Sequence, residues 1–126
     1  MKRGLFYDRQ GQPIRFRLDW AKRMDDPNYH RVAETKLRDG TWISTVWLGL
    51  DHNFGSEGPP LIFETMVFPV GGNYDELDCE RYATEAQALA GHERIVDKWK
   101  KLLCLDEEYS RQVQVFDVEL KKDDPQ

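Results

Sequence analysis

The spacing of apolar residues changes period along the chain, and the changes predict the elements. From Pro13, the residues Ile14, Phe16, Leu18 and Trp20 alternate with Arg15, Arg17 and Asp19, the two-residue period of a strand with one buried and one wet face. Asp25-Asp26-Pro27-Asn28 interrupts that run, and residues 30–37 resume as a strand of weaker alternation. Asp39-Gly40 follows. That dipeptide predicts a two-residue hairpin turn, because both of its positions tolerate positive φ. Residues 41–50 are apolar on both sides, with Trp42, Val46, Leu48 and Leu50 pointing one way and Ile43 and Trp47 the other, which places this strand centrally in a sheet. Residues 51–60 are dense in Gly, Asp, Asn, Ser and Pro and form a loop. Residues 61–68 return as a second two-faced strand that Pro69 ends, and Glu80-Arg81-Tyr82 adds a short strand beside it.

At Thr84 the period lengthens. The Thr84 hydroxyl and the Gln87 side chain can cap each other's free amides, and Glu85 suits the positive end of a helix dipole as Lys98, Lys100 and Lys101 suit the negative end. Leu89, His92, Val96, Trp99 and Leu103 recur at three- and four-residue intervals, flanked by Ala88, Ile95 and Leu102. The pattern predicts one helix from 84 to about 103, with its apolar stripe buried. Asp106-Glu107-Glu108 then breaks the pattern, and residues 112–120 alternate again with Phe116, Val118 and Leu120 on one face. The expected fold is α+β: an antiparallel sheet of about five strands with one long helix packed across it. The C-terminal strand pairs with its own sheet or exchanges with another subunit's. Residues 1–120 form one domain and 121–126 a charged tail. The unmatched last strand and the two-faced central strands predict a homo-oligomer, with a dimer favoured.

Composition narrows the function classes. The 126 residues carry 40% hydrophobic and 12% aromatic residues, enough for one core, and a formal charge of −5 that argues against general nucleic-acid binding. Cys79 and Cys104 are too far apart for a metal knuckle or a redox pair and are read as reduced thiols. The start, Met1-Lys2-Arg3-Gly4-Leu5-Phe6-Tyr7-Asp8, lacks the apolar run of a signal peptide, and no later stretch is long and apolar enough to span a membrane. These features predict a cytoplasmic protein.

Three phrases in order carry a resemblance: Thr45-Val46-Trp47-Leu48-Gly49-Leu50-Asp51-His52-Asn53-Phe54-Gly55, then Ile62-Phe63-Glu64-Thr65-Met66-Val67-Phe68, then Glu80-Arg81-Tyr82-Ala83-Thr84-Glu85 with Ala88-Leu89-Ala90-Gly91-His92-Glu93. Over about residues 40–97 the chain resembles a group of short uncharacterised proteins encoded by tailed bacteriophages and prophages. The resemblance implies a phage origin and the cytoplasm of an infected bacterium. It transfers no activity. Small phage proteins of this kind often bind host components, including defence proteins or their nucleotide signals.

Candidate chemistry centres on a few side chains. Asp51-His52 ends a strand and enters a Gly-rich loop, where side chains are both held and exposed; they bind a ligand there or bond their own turn. Asp51, His52, Glu64 and His92, with His30 nearby in type, supply imidazole and carboxylate for a small metal-dependent hydrolase, although their spacing matches no zinc pattern. His92 within the apolar stripe is either a core histidine donating to a backbone carbonyl or a catalytic base. Glu64 either pairs with Arg81 on the neighbouring strand or serves acid–base chemistry. No nucleophile elbow, Walker loop or dinucleotide fingerprint is present, and Gly71-Gly72-Asn73 is too short to cradle phosphate. The aromatic surplus, Trp20, Trp42, Trp47, Phe54 and Tyr82, suits either core packing or a cleft that stacks a planar ligand, with Arg81 or Arg94 holding its phosphate. The expectation is therefore a non-enzymatic, cofactor-free binding protein that sequesters or inhibits a host protein or a small nucleotide-like ligand. Its binding residues would be Trp47, Asp51, His52, Phe54, Glu64, Arg81, Tyr82 and His92, and the hydrolase is the alternative.

Overall fold

The computed structural model describes residues 5–53, 57–71 and 75–123, of which 113–123 as backbone alone. Two short strands, Phe6–Tyr7 (β1) and Pro13–Ile14 (β2), pair antiparallel. Arg17–Met24 (α1) and Pro27–His30 (α2) follow. The strand expected over Ile14 to Trp20 is thus a two-residue strand followed by a helix. The alternating residues Phe16 and Leu18 lie in solvent, whereas Trp20 and Met24, one helical turn apart, pack against the core. Helical spacing won because Asp19 near the start and Lys22 and Arg23 near the end suit the dipole. The break at Asp25-Asp26-Pro27 is real: the Asp26 carboxylate accepts from the Asn28 amide at 3.0 Å, with Pro27 in the first turn of α2.

The main sheet contains Arg31–Lys36 (β3), Trp42–Trp47 (β4), Phe63–Phe68 (β5) and Asp78–Tyr82 (β6), antiparallel throughout and in the order β3-β4-β5-β6. The β3–β4 hairpin occurs where Asp39-Gly40 predicts it, but with a three-residue loop. Leu37 and Thr41 close the loop, the Gly40 amide donates to Leu37, and φ at Gly40 is +96°. The Asp39 carboxylate fixes the turn by accepting from the Thr41 amide and hydroxyl, both at 2.8 Å.

Along β4 burial alternates strictly: Ile43, Thr45 and Trp47 are buried, while Trp42, Ser44 and Val46 are half-exposed. The buried side continues through Phe63, Thr65 and Val67 of β5 and Tyr82 of β6. Trp47 and Phe63 are fully buried, each stabilising the fold by roughly 1.5–3 kcal/mol before entropy is counted. The N-terminal elements close the Trp47 end of this side. The Trp47 indole donates to the Tyr7 carbonyl at 3.0 Å and meets the Tyr29 ring edge-on, and the Trp20 indole donates to the Leu48 carbonyl at 2.9 Å. Gly49, at φ +71°, leaves room for both indoles, which a Cβ would strike.

Glu85–Asp123 (α3) begins with the expected reciprocal cap: the Gln87 amide donates to the Thr84 hydroxyl at 3.1 Å, and the Gln87 carbonyl oxygen accepts from the Thr84 amide at 3.4 Å. Arg9 pairs with Glu85 beside it. Through Val96 the helix buries Ala88, Gly91, His92, Ile95 and Val96. Leu89, expected in the stripe, is 46% exposed because it lies about a quarter turn round from the centre of that arc. A Cβ at Gly91 would strike the Tyr82 ring, so glycine there lets Tyr82 lie close beneath the helix.

The helix does not end near Leu103, and the strand expected over residues 112–120 is helical backbone. No Gly or Pro interrupts residues 92–124, glutamates propagate a helix well, and Val113, Phe116 and Leu120 fit a helical period as readily as an alternating one. The exchanged C-terminal strand therefore has no strand to exchange. The chain divides into two compact units, Met1–Val96 and Asp97–Gln126. The described residues establish an α+β fold with two antiparallel sheets and one long C-terminal helix.

Candidate functional site

Strand pleating sends the expected site residues to opposite faces of the sheet. On the covered face, Thr45 of β4 lies directly opposite Thr65 of β5, and α3 lays His92 against them. A chain of side-chain hydrogen bonds results: the Tyr82 hydroxyl donates to Thr65 Oγ1 at 3.0 Å, Thr65 and Thr45 share a bond of 2.5 Å, Thr45 Oγ1 meets His92 Nδ1 at 2.7 Å, and His92 Nε2 meets Thr35 Oγ1 at 2.8 Å. All four strands of the sheet and the helix contribute to it. Each proton is used once when the Tyr82, Thr65 and Thr45 hydroxyls donate in turn toward His92, which makes Nδ1 the acceptor and Nε2–H the donor to the Thr35 hydroxyl. Burial holds the His92 imidazole below its ordinary pKa, with Glu93 opposing the shift, and burial likewise raises the Tyr82 phenol. His92 is thus a core histidine, as expected, but its partners are hydroxyls and not a backbone carbonyl. Both ring nitrogens are engaged and the residue is 2% exposed, so it has neither the access nor the free lone pair of a catalytic base. Sequence spacing could not find Thr35, Thr45 and Thr65, because a threonine in a strand ordinarily marks only β propensity.

Glu64 points to the other face. Its carboxylate accepts from Arg81 Nε at 2.9 Å and lies 3.7 Å from the Cys79 thiol. The Arg81 guanidinium is raised by that bond, and Cys79 is raised to about 11, first by burial and then by the Glu64 charge. The ion pair is the reading that fits. Asp51 and His52 turn inward on their own loop: the Asp51 carboxylate accepts from the Asn53 amide at 2.8 Å and the Leu61 amide at 3.1 Å, and His52 Nδ1 meets the Leu50 carbonyl at 3.0 Å. Phe54 lies outside the described residues. The seven expected site residues that are described therefore do not share one cleft. Trp47, Tyr82 and His92 build the covered core, Glu64 and Arg81 lie on the opposite face, and Asp51 and His52 tie down a strand end. Among the described residues no three His, Cys, Asp or Glu side chains converge as a metal site would require, so Asp51, His52, Glu64 and His92 form no common centre.

The side chains opposite the core compose a different surface. Trp42 and Phe68, cross-strand neighbours, stack at 5.2 Å, and the Trp42 indole donates to the Glu34 carboxylate at 2.8 Å. Ser44, Met66 and Cys79 make the next row, and Val46, Glu64 and Arg81 the row after it. Trp42, Val46, Met66 and Phe68 are each half-exposed, and Glu34, Lys36 and Arg81 fringe them in solvent. An apolar strip with a polar margin lies across a rigid four-stranded sheet. The sequence signal for it is the two-faced character of residues 41–50 and 61–68. Among the described residues, no helix is long and apolar enough to cross a membrane. No protein-family model, curated protein or solved structure matches the chain.

Proposed function

We propose that the chain is a non-enzymatic accessory protein of phage origin that binds a host protein through the open face of its sheet and thereby sequesters or inhibits it. The observation that carries this reading is the half-exposed strip of Trp42, Val46, Met66 and Phe68 on a scaffold whose other face buries Ile43, Thr45, Trp47, Phe63, Thr65 and Val67. Aromatic and Met side chains in an apolar centre with charged residues at the margin are the composition of a protein-binding patch. The strip runs across β4 and β5 of a sheet face with charged residues at its margin, which favours a macromolecular partner over a nucleotide. Phage origin rests on the resemblance over about residues 40–97, and the host cytoplasm follows from it. The hydrolase has no comparable support, because its four residues are spread over a strand end and two faces.

The test is capture from bacterial lysate by immobilised wild type, Trp42→Ala, Arg81→Glu and, as a surface control, Leu89→Ala. A partner retained by wild type and Leu89→Ala but lost with both face variants is the expected result. A partner indifferent to Trp42 and Arg81, or calorimetric binding of nucleotides that those variants leave intact, overturns the proposal.

A further inference from the structure

We infer that the edge strand β3 pairs antiparallel with β3 of a second copy of the chain, about a twofold axis at Thr35, so that two four-stranded sheets join into one. β3 stands at the end of the strand order, and among the described residues no strand lies beyond it. Arg31, Glu34 and Lys36 on it are exposed. Hydrogen bonds across an antiparallel pair alternate, so that every second residue turns its amide and carbonyl away from the partner strand. The Leu37 amide donates to the Thr41 carbonyl at 2.8 Å; in the β3–β4 register Thr35 then bonds to Ile43, and the amides and carbonyls of Glu34 and Lys36 point out of the sheet. An outward row of donors and acceptors is a template for a further strand.

Charge selects which strand is added. Glu34 lies opposite Ser44 and Lys36 opposite Trp42, so both side chains stand on the open face of the sheet. The antiparallel registers that bring the outward-turned residues of two β3 edges level are centred on Glu34, on Thr35 or on Lys36. Centring on Glu34 sets carboxylate against carboxylate, and centring on Lys36 sets ammonium against ammonium. Centring on Thr35 sets Glu34 opposite Lys36 of the second copy: the two residues exchange both backbone bonds, their side chains form an ion pair, and the twofold axis repeats the set. The edge is thus self-complementary in one register. The register shift between Arg31 and Ala33 ends its regular part, and together with the charges it turns away strands of another pattern while leaving residues 34–36 straight for a matching one. Trp42, Val46, Met66 and Phe68 stay on the open face of both copies. This pairing supplies the homo-oligomer without any exchanged strand.

Sedimentation of the full chain over a wide concentration range, with near-ultraviolet circular dichroism to confirm the packed sheet, tests the interface. The expected result is a monomer–dimer equilibrium that Glu34→Lys and Lys36→Glu each weaken by about tenfold or more in Kd, because each puts like charges opposite one another twice. The double variant Glu34→Lys/Lys36→Glu exchanges the charges and keeps them complementary, so it dimerises as the wild type does. An equal mixture of the two single variants forms a heterodimer for the same reason. Amide hydrogen exchange of the wild type reads the backbone directly: Glu34 and Lys36 slow as concentration rises, whereas Thr35, bonded within its own sheet, does not. A monomer at every concentration, a dimer indifferent to the single charge reversals, a folded double variant that stays monomeric, assembly beyond the dimer as β3 docked on β6 would give, or Glu34 and Lys36 amides indifferent to concentration overturns the inference.

Discussion

Thr45→Val tests whether the buried hydroxyl chain holds the fold together. Thr45 is fully buried, and its hydroxyl is the only link between Thr65, at 2.5 Å, and His92, at 2.7 Å, in that chain. Valine has nearly the same shape, so no cavity term enters; the change strands the Thr65 hydroxyl proton and the Nδ1 lone pair of His92 in the core. A buried polar group left without a partner costs about 1–3 kcal/mol, and the two together predict a loss of about 2–6 kcal/mol. Urea unfolding should show a lower midpoint with an unchanged slope, since the surface exposed on unfolding is the same. Thr35→Val, at the half-exposed end of the chain where water can replace the hydroxyl, should cost no more than about 1 kcal/mol. Thr45→Val/Thr65→Val should cost less than the sum of its single changes, because each single change leaves the other hydroxyl stranded. A loss below about 0.5 kcal/mol for Thr45→Val, or strict additivity, would refute the claim that these bonds are structurally coupled.

Three further outcomes follow from the same geometry. Because burial depresses the His92 pKa in the folded state, the unfolded chain takes up a proton first: this residue's contribution to stability is complete above the unfolded value of about 6.5 and is lost as pH falls through the depressed folded value, at up to about 1.4 kcal/mol per pH unit, and urea melts of His92→Gln should lack that component. Gly91→Ala drives a methyl group into the Tyr82 ring and should destabilise by about 1–3 kcal/mol, with Tyr82→Leu relieving part of it in the double variant; a neutral Gly91→Ala in thermal unfolding would show that the helix can lift away freely. With Cys79 raised to about 11, first by burial, only about a thousandth of it is thiolate at pH 8, so a thiol reagent should label exposed Cys104 first, and Glu64→Gln should speed Cys79 labelling; equal rates in the wild type would contradict the raised value, and a Cys79 rate unchanged in Glu64→Gln would contradict the Glu64 contact.

Local signals decided the parts of the fold that depend on neighbours in sequence. The Thr84/Gln87 cap, the turn at Asp39-Gly40, the stop at Asp25-Asp26-Pro27 and the two-faced strands at 41–50 and 61–68 were all legible, because capping, positive φ and pleat periodicity act over a few residues. Two segments misled for one reason. Residues 14–20 and 112–120 carry apolar residues whose spacing satisfies both a strand and a helix, so the apolar pattern alone does not separate the two.

The candidate site was legible as a set of residues and not as a place. The Glu64–Arg81 pair and the core position of His92 could be anticipated from strand adjacency and the helical stripe. Strand register alone sent Glu64 and His92 to opposite faces, since a shift of one residue along a strand reverses the side. Tertiary structure also chose the partners. His92 bonds to hydroxyls on β3 and β4, residues 57 and 47 positions away along the chain, and Trp42 rather than Trp47 is the indole left at the surface. The sequence by itself determined which segments turn, cap and alternate. The face of the sheet that the helix covers, and so the half-exposed aromatic strip on the other face, was decided only when the strands paired.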